Sequence, residues 1–149
     1  MTPGGNADAG LLPAVSRSRL AVGIGVQLVI ALMHVFRAGS YLNGRAYALY
    51  YGYFSDFALP FGMYFLLCGV DARHPLLRTR GAKLAVAVVP AAVAEALQGF
   101  GIPALGTVFD PLDFLMYAAG ALLAVWLDVA VLHRFLPGWA AGSAASGRP

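Results

Sequence analysis

Four apolar stretches, each long enough to cross a lipid bilayer as a helix, constrain the fold of this chain more than any other feature. They cover residues 20–36, 49–70, 84–102 and 112–132. A bilayer core of about 30 Å needs roughly 20 apolar residues in a helix. With 60% hydrophobic and only 11% charged residues, the chain carries more apolar surface than a soluble domain of this length can bury. The sequence therefore predicts an all-α, polytopic membrane protein built as a four-transmembrane-helix bundle.

The Lys and Arg residues predict the orientation of this bundle. Cytoplasmic loops of membrane proteins are enriched in these residues. One side of the predicted bundle carries eight of them, whereas the other carries two, Arg37 and Arg45. Both termini and the middle loop are therefore predicted to be cytoplasmic. This placement also accounts for the net charge of +3, so nucleic acid is not a predicted partner.

Composition outside the spans predicts tails rather than further domains. Residues 1–16 and 140–149 are rich in Gly, Ala, Ser and Pro and are predicted to be disordered. The transmembrane domain would then occupy residues 17–139. Cys68 is the single cysteine, so the chain contains no internal disulfide and no Cys-based metal site.

Polar residues within the spans gather toward the outward ends of the helices, while the inner halves of spans two and three read as almost purely apolar. Ionisable residues at membrane depth are costly and usually face the bundle interior or a watery cavity. The pattern predicts an outward-facing polar site. Its candidate residues are His34, Arg37, Asp56, Tyr64, Glu95, Gln98, Asp110, Asp113 and Tyr117.

Helical spacing places several of these residues on common faces. Glu95 and Gln98 are three residues apart, and Asp110, Asp113 and Tyr117 follow the i, i+3, i+7 spacing of one stripe. On span two, the positions 56, 60 and 64 share a face. The proline at position 60 removes a backbone donor near Asp56, which suits a kinked helix lining a polar cavity.

Such a set of carboxylates suits general acid/base chemistry, proton-coupled binding or divalent-metal coordination. Arg37 could instead clamp a phosphate or carboxylate of a ligand. The sequence contains no phosphate loop and no Ser/His/Asp triad. No cofactor is predicted, and whether the chain is an enzyme stays open.

Structural roles compete with these functional interpretations. Asp110 precedes a proline and has the signature of a helix N-cap, and Asp113 would then lie in the first turn, where negative charge is favourable. Glu95 has no capping role, so its structural alternative is an ion pair with Arg37 or His34.

Three further polar residues also have structural alternatives. Gln98 could be an interhelical hydrogen-bond donor, and His34 an interfacial residue. Asp128, near the inner end of span four, could reach Arg134 or interfacial water, and no function is assigned to it.

The polar residues of spans two to four resemble the signature of the VanZ-like family of small bacterial membrane proteins. The similarity rests on Glu95-x-x-Gln98, a Pro/Gly turn and Asp110-x-x-Asp113 followed by a glycine, with Asp56 eight residues before a tyrosine. It covers roughly residues 53–127. The resemblance implies a protein of the bacterial plasma (inner) membrane, linked in some members to glycopeptide resistance or the cell envelope. It implies no reaction.

The chain departs from that family pattern at its cationic and amide positions. Thr107 stands where the pattern has Arg, and Tyr117 where it has Asn; Phe57 and Pro60 replace Lys and His. The carboxylates are kept while their cationic partners are lost. One hypothesis is that His34 and Arg37 of span one supply the missing positive charge.

Three functions remain open on the sequence. The first is a cell-envelope factor whose acidic pocket binds or modifies an amphiphilic, lipid-linked molecule, such as an envelope precursor. The second is a non-catalytic scaffold or subunit whose polar residues hold the bundle together, with the bilayer and an oligomer or partner membrane protein as its contacts. The third, a small proton-coupled transporter, is disfavoured by the apolar inner half and the lack of an internal repeat.

Overall fold

The computed structural model describes residues 17–71, 73–104, 108–136 and 139. Within this part of the chain, four long helices follow one another: α1 (Arg17–Val35), α2 (Gly44–Val70), α3 (Arg80–Gly99) and α4 (Pro111–Leu127). Helix α4 continues through a π-helical segment, Asp128–Leu132, into a short helix α5, His133–Phe135. Single 3-10 turns, Ala38–Tyr41 and Pro75–Leu77, precede α2 and α3.

All four helical segments are long and apolar enough to cross a membrane, when α4 is counted with its continuation to Phe135. The prediction of an all-helical chain with four such segments is confirmed for the described residues. The two predicted tails, 1–16 and 140–149, lie outside them.

The helices begin earlier than the apolar stretches because their caps lie in polar sequence. Thr79 precedes α3, and its hydroxyl accepts a hydrogen bond from the amide of Ala82 at 3.1 Å. Asp110 precedes α4, and its carboxylate accepts from the amide of Leu112 at 2.9 Å. The N-cap prediction for Asp110 is confirmed. Helix α2 runs without interruption through its buried proline at position 60.

Helix α2 is the centre of the bundle and packs against α1, α3 and α4. Two glycines permit its closest contacts. A Cβ atom on Gly120 of α4 would lie 2.0 Å from the backbone oxygen of Phe57, and one on Gly23 of α1 would lie 2.8 Å from that of Phe65. Only a residue without a side chain fits at either helix crossing.

The apolar core lies in one half of the bundle. It is built on Tyr64, Phe65 and Cys68 in the second half of α2, with Ala87 of α3 and Ala124 of α4 packed against them. This half adjoins the end where α1 and α3 begin.

The two ends of the bundle carry opposite charge. We call the end where α1 and α3 begin the basic end, because Arg19 and Lys83 lie there. The opposite end is the acidic end, where Asp56, Glu95 and Asp113 lie.

Candidate functional site

A cavity of about 270 Å³ opens at the acidic end between α2, α3 and α4. Three carboxylates line it, together with an amide, two hydroxyl groups and three apolar side chains, and none of its described lining residues is basic. Leu59 and Val108 of this lining are themselves at least half exposed, so the cavity opens between apolar side chains. The lining residues are Ser55, Asp56, Leu59, Ala91, Glu95, Gln98, Val108, Asp113 and Tyr117.

Glu95 is the most buried of these carboxylates, with 2% of its surface exposed. Its Oε1 atom accepts a hydrogen bond from the backbone amide of Asp110 at 2.6 Å. The side chain of Asp110 in turn caps α4 and accepts a hydrogen bond from the hydroxyl of Tyr53 at 3.1 Å. Glu95 therefore ties the last turns of α3 to the start of α4, and the predicted ion pair of Glu95 with Arg37 or His34 is wrong.

The other two carboxylates are held less firmly. Asp56 of α2 receives one long hydrogen bond, 3.4 Å, from the hydroxyl of Tyr117. Asp113 lies in the first turn of α4, as predicted, and its carboxylate makes no hydrogen bond or ion pair that involves the described residues. Both side chains line the cavity and keep unused hydrogen-bond acceptor capacity.

Gln98 lines the same cavity and also braces the connection between α3 and α4. Its side-chain amide donates to the carbonyl of Ala104 at 2.8 Å. The predicted interhelical hydrogen bond is therefore a contact with the loop. Thr107, the position at which the VanZ-like pattern has Arg, lies outside the described residues.

His34 and Arg37 do not join the carboxylates. They line a separate, small cavity of about 80 Å³ between α1 and α2, and Arg37 adopts a left-handed backbone conformation there, with φ 49°. The His34 ring instead meets the hydroxyl of Ser55 at 3.2 Å. Because Ser55 lines both cavities, it is the only described residue through which His34 approaches the acidic site.

Tyr64 belongs to a different polar network, although its spacing from Asp56 predicted a shared site. Its hydroxyl donates to Oδ2 of Asp128 at 2.7 Å near the basic end. Asp128 also accepts a hydrogen bond from the indole of Trp139, and His133 lies 3.2 Å from its Oδ1. The predicted contact of Asp128 with Arg134 is wrong.

A buried ion triad at the basic end was not predicted from the sequence, and its members lie directly beside the apolar inner halves of the predicted spans. Oδ2 of Asp71 lies 2.8 Å from both Nη1 of Arg19 and Nζ of Lys83. All three residues are at least nine-tenths buried. The sequence did contain a signal for this triad. One acidic residue directly follows span two, at the same end of the bundle as the basic residues that directly precede spans one and three.

The acidic cavity offers a ligand negatively charged carboxylates that accept hydrogen bonds. No group of three or more His, Cys, Asp or Glu side chains in the described parts of the chain is arranged to hold a metal ion. Carboxylate oxygens are also able to accept hydrogen bonds from hydroxyl or amine groups of a ligand.

Comparison with known proteins adds no relative: no protein-family model, no curated protein and no solved structure matches this chain.

Proposed function

We propose that this chain is a multi-pass membrane protein whose acidic cavity binds an amphiphilic molecule through hydroxyl or amine donors on its headgroup. The observation that carries the proposal is the acidic cavity itself, in which Asp56 and Asp113 keep unused acceptor capacity. Buried or half-buried carboxylates without basic partners are unfavourable unless a ligand or water satisfies them.

The apolar surroundings of the cavity favour an amphiphile over a small polar solute. Leu59 and Val108 lie at its opening, and the helices around it expose apolar side chains along their length. A ligand that approaches from within a bilayer needs an apolar part to reach the carboxylates. Hydroxyl-rich or amine-bearing headgroups would then meet three acidic side chains, whereas an anionic headgroup would be repelled.

The VanZ-like resemblance fits this proposal in a further way. It suggests a bacterial plasma membrane. The distribution of Lys and Arg residues separately favours cytoplasmic termini, and the acidic cavity would then face outward. A lipid-linked envelope precursor carries sugar hydroxyls on an apolar tail, and it has the right chemistry when those hydroxyls, rather than an acidic linking group, meet the carboxylates.

Thermal unfolding in detergent tests the proposal with a matched pair of probes. The full chain in dodecyl maltoside is titrated with dodecylamine or with dodecanoate, which share an alkyl chain and differ in headgroup charge. We expect dodecylamine to raise the unfolding temperature and dodecanoate to leave it unchanged. Native mass spectrometry of the same sample identifies any lipid that remains bound after purification.

Variants at Asp113 locate the binding to the cavity. Asp113→Asn removes the charge without removing a hydrogen bond between described residues, and we expect it to abolish the amine-dependent stabilisation. Asp113→Glu, which keeps the charge, serves as the matched control and should retain most of it. Equal stabilisation of both variants, or equal effects of the two probes, would contradict the proposal.

The scaffold alternative is favoured by one specific observation. Glu95 is almost completely buried and joins α3 to α4 through the amide of Asp110, which is what a structural residue would do. Glu95→Gln separates the two functions: under the scaffold alternative it lowers stability and changes nothing else, whereas in the binding proposal it also weakens the response to dodecylamine.

A further inference from the structure

A second cavity, of about 250 Å³, lies at the basic end of the bundle. Four basic side chains line it, and a single carboxylate, that of Asp128, accompanies them. The basic residues are Arg19, Arg78, Arg80 and Lys83. Its charge is therefore opposite to that of the acidic cavity.

The lone carboxylate of this cavity is already committed to other donors. Asp128 accepts hydrogen bonds from the hydroxyl of Tyr64 and the indole of Trp139. The guanidinium of Arg80 approaches it only to 3.5 Å, and that side chain is half exposed. Asp128 therefore neutralises Arg80 in part and makes no ion pair with Arg78.

Arg78, which lines the same cavity, has no ion-pair partner among the described residues. Arg78 is exposed, and its side chain makes no ion pair or hydrogen bond in the parts of the chain that the structure describes. It adjoins the first turn of α3, where helix geometry leaves amide groups that point out of the helix. Two guanidinium groups at a helix N-terminus provide planar, multiply donating contacts that match the oxygens of a phosphate.

The cavity lies at one end of the apolar helices, the level that the headgroup layer would occupy if these helices cross a bilayer. It lies where α1 and α3 begin and α4 ends, at the limit of the apolar spans. Basic pockets between transmembrane helices at this level bind anionic lipid headgroups. Lys83 and Arg19, paired with Asp71, form the inner wall, while Arg78 and Arg80 face outward.

We infer that this basic cavity is a binding site for a phosphate-bearing anion, held by Arg78 and Arg80 at the start of α3. Two sources share this chemistry: the headgroup of an anionic phospholipid and free phosphate. The site is independent of the acidic cavity, so either proposal can fail alone.

Thermal unfolding of the full chain in dodecyl maltoside tests the inference. Phosphatidylglycerol, phosphatidylcholine or sodium phosphate is added, with sodium chloride as the ionic-strength control. We expect phosphatidylglycerol to raise the unfolding temperature more than phosphatidylcholine does. Stabilisation by sodium phosphate beyond the chloride control would show that the free anion suffices, and its absence would assign the site to the lipid headgroup.

A matched variant pair separates this site from general surface charge. Arg78→Gln replaces a side chain that makes no ion pair or hydrogen bond with the described residues. We expect it to weaken the apparent affinity for phosphatidylglycerol about tenfold, because one charge-assisted contact with the phosphate is lost. Arg134→Gln removes the same charge at the same end, outside the cavity lining, and should bind as the unmodified chain does.

Three outcomes would overturn the inference: equal loss in Arg78→Gln and Arg134→Gln, no loss in Arg78→Gln, or equal effects of the two lipids together with no stabilisation by sodium phosphate beyond the chloride control. Arg80→Gln is a second test variant, and we expect it to weaken the apparent affinity for phosphatidylglycerol as much as Arg78→Gln does. Because Arg80 contacts Asp128, this variant could be less stable without ligand, and Arg78→Gln then decides the question.

Discussion

At the basic end of the bundle, buried charges meet partners of opposite charge, whereas at the acidic end carboxylates meet one another. Asp71 lies between Arg19 and Lys83, and the apolar core packs beside them. Asp56 and Asp113 instead face a cavity with no described basic residue in its lining. Side chains of the same type thus serve the fold at one end and are available to a ligand at the other.

The largest loss of stability is expected at the buried ion triad of the basic end. Asp71→Asn removes the negative charge that Arg19 and Lys83 share, and breaking a buried pair in this way costs about 3–5 kcal/mol. Chemical or thermal unfolding in detergent measures the loss. A change of less than about 1 kcal/mol, the value typical of exposed ion pairs, would break the comparison between the two ends.

The α2–α4 crossing supports both ends, and Gly120→Ala tests it. A Cβ atom at this position would overlap the backbone oxygen of Phe57, and overpacking of this kind costs about 1–3 kcal/mol. Gly25→Ala is the control, since a Cβ there meets nothing within 4 Å, and alanine is the better helix former. If both variants unfold alike, the helices are not as closely packed at this crossing as the structure indicates.

Tyr64→Phe sharpens the comparison within the basic end. The change removes one of the hydrogen bonds to the buried carboxylate of Asp128, and a hydrogen bond to a charged group contributes about 1.5–3 kcal/mol. We expect a loss near the lower limit because Trp139 still donates to Asp128. Tyr47→Phe, at an exposed tyrosine, should unfold as the unmodified chain does.

The smallest effect is expected at the acidic end. Asp113→Asn removes a charge that repels the other cavity carboxylates but also favours the α4 dipole, and these opposing contributions should leave stability within about 0.5 kcal/mol. The same unfolding assay measures it beside Asp71→Asn. If Asp113→Asn and Asp71→Asn lose similar amounts of stability, the carboxylates of both ends contribute equally to the fold, and the comparison between the two ends fails.

The sequence predicted the helices well because their signal is local. The apolar stretches are long enough to cross a bilayer as helices, and Asp110 followed by a proline indicates the start of α4. The carboxylates of the cavity could likewise be grouped, since helical spacing and a shared end of the bundle bring Glu95 and Asp113 together.

The contacts between helices could not be predicted in the same way. Spacing placed Tyr64 on the face of Asp56, but eight residues span a distance along the helix axis that separates their sites. Hydrogen-bond partners depend on which helices are neighbours. Helix α1 packs against α2, so His34 and Arg37 do not reach Glu95. Trp139, which follows the last predicted span, donates a hydrogen bond to Asp128.

The one-sided position of the apolar core has a consequence for how the bundle opens. Resistance to local unfolding follows the density of buried contacts, and these are concentrated around Tyr64, Phe65 and Cys68. Amide hydrogens in this part of α2 should exchange with deuterium far more slowly than those near Tyr47 and Tyr51, which are exposed. Under the proposed function, this difference would let the acidic end loosen around a bulky headgroup while the opposite half keeps the four helices in register.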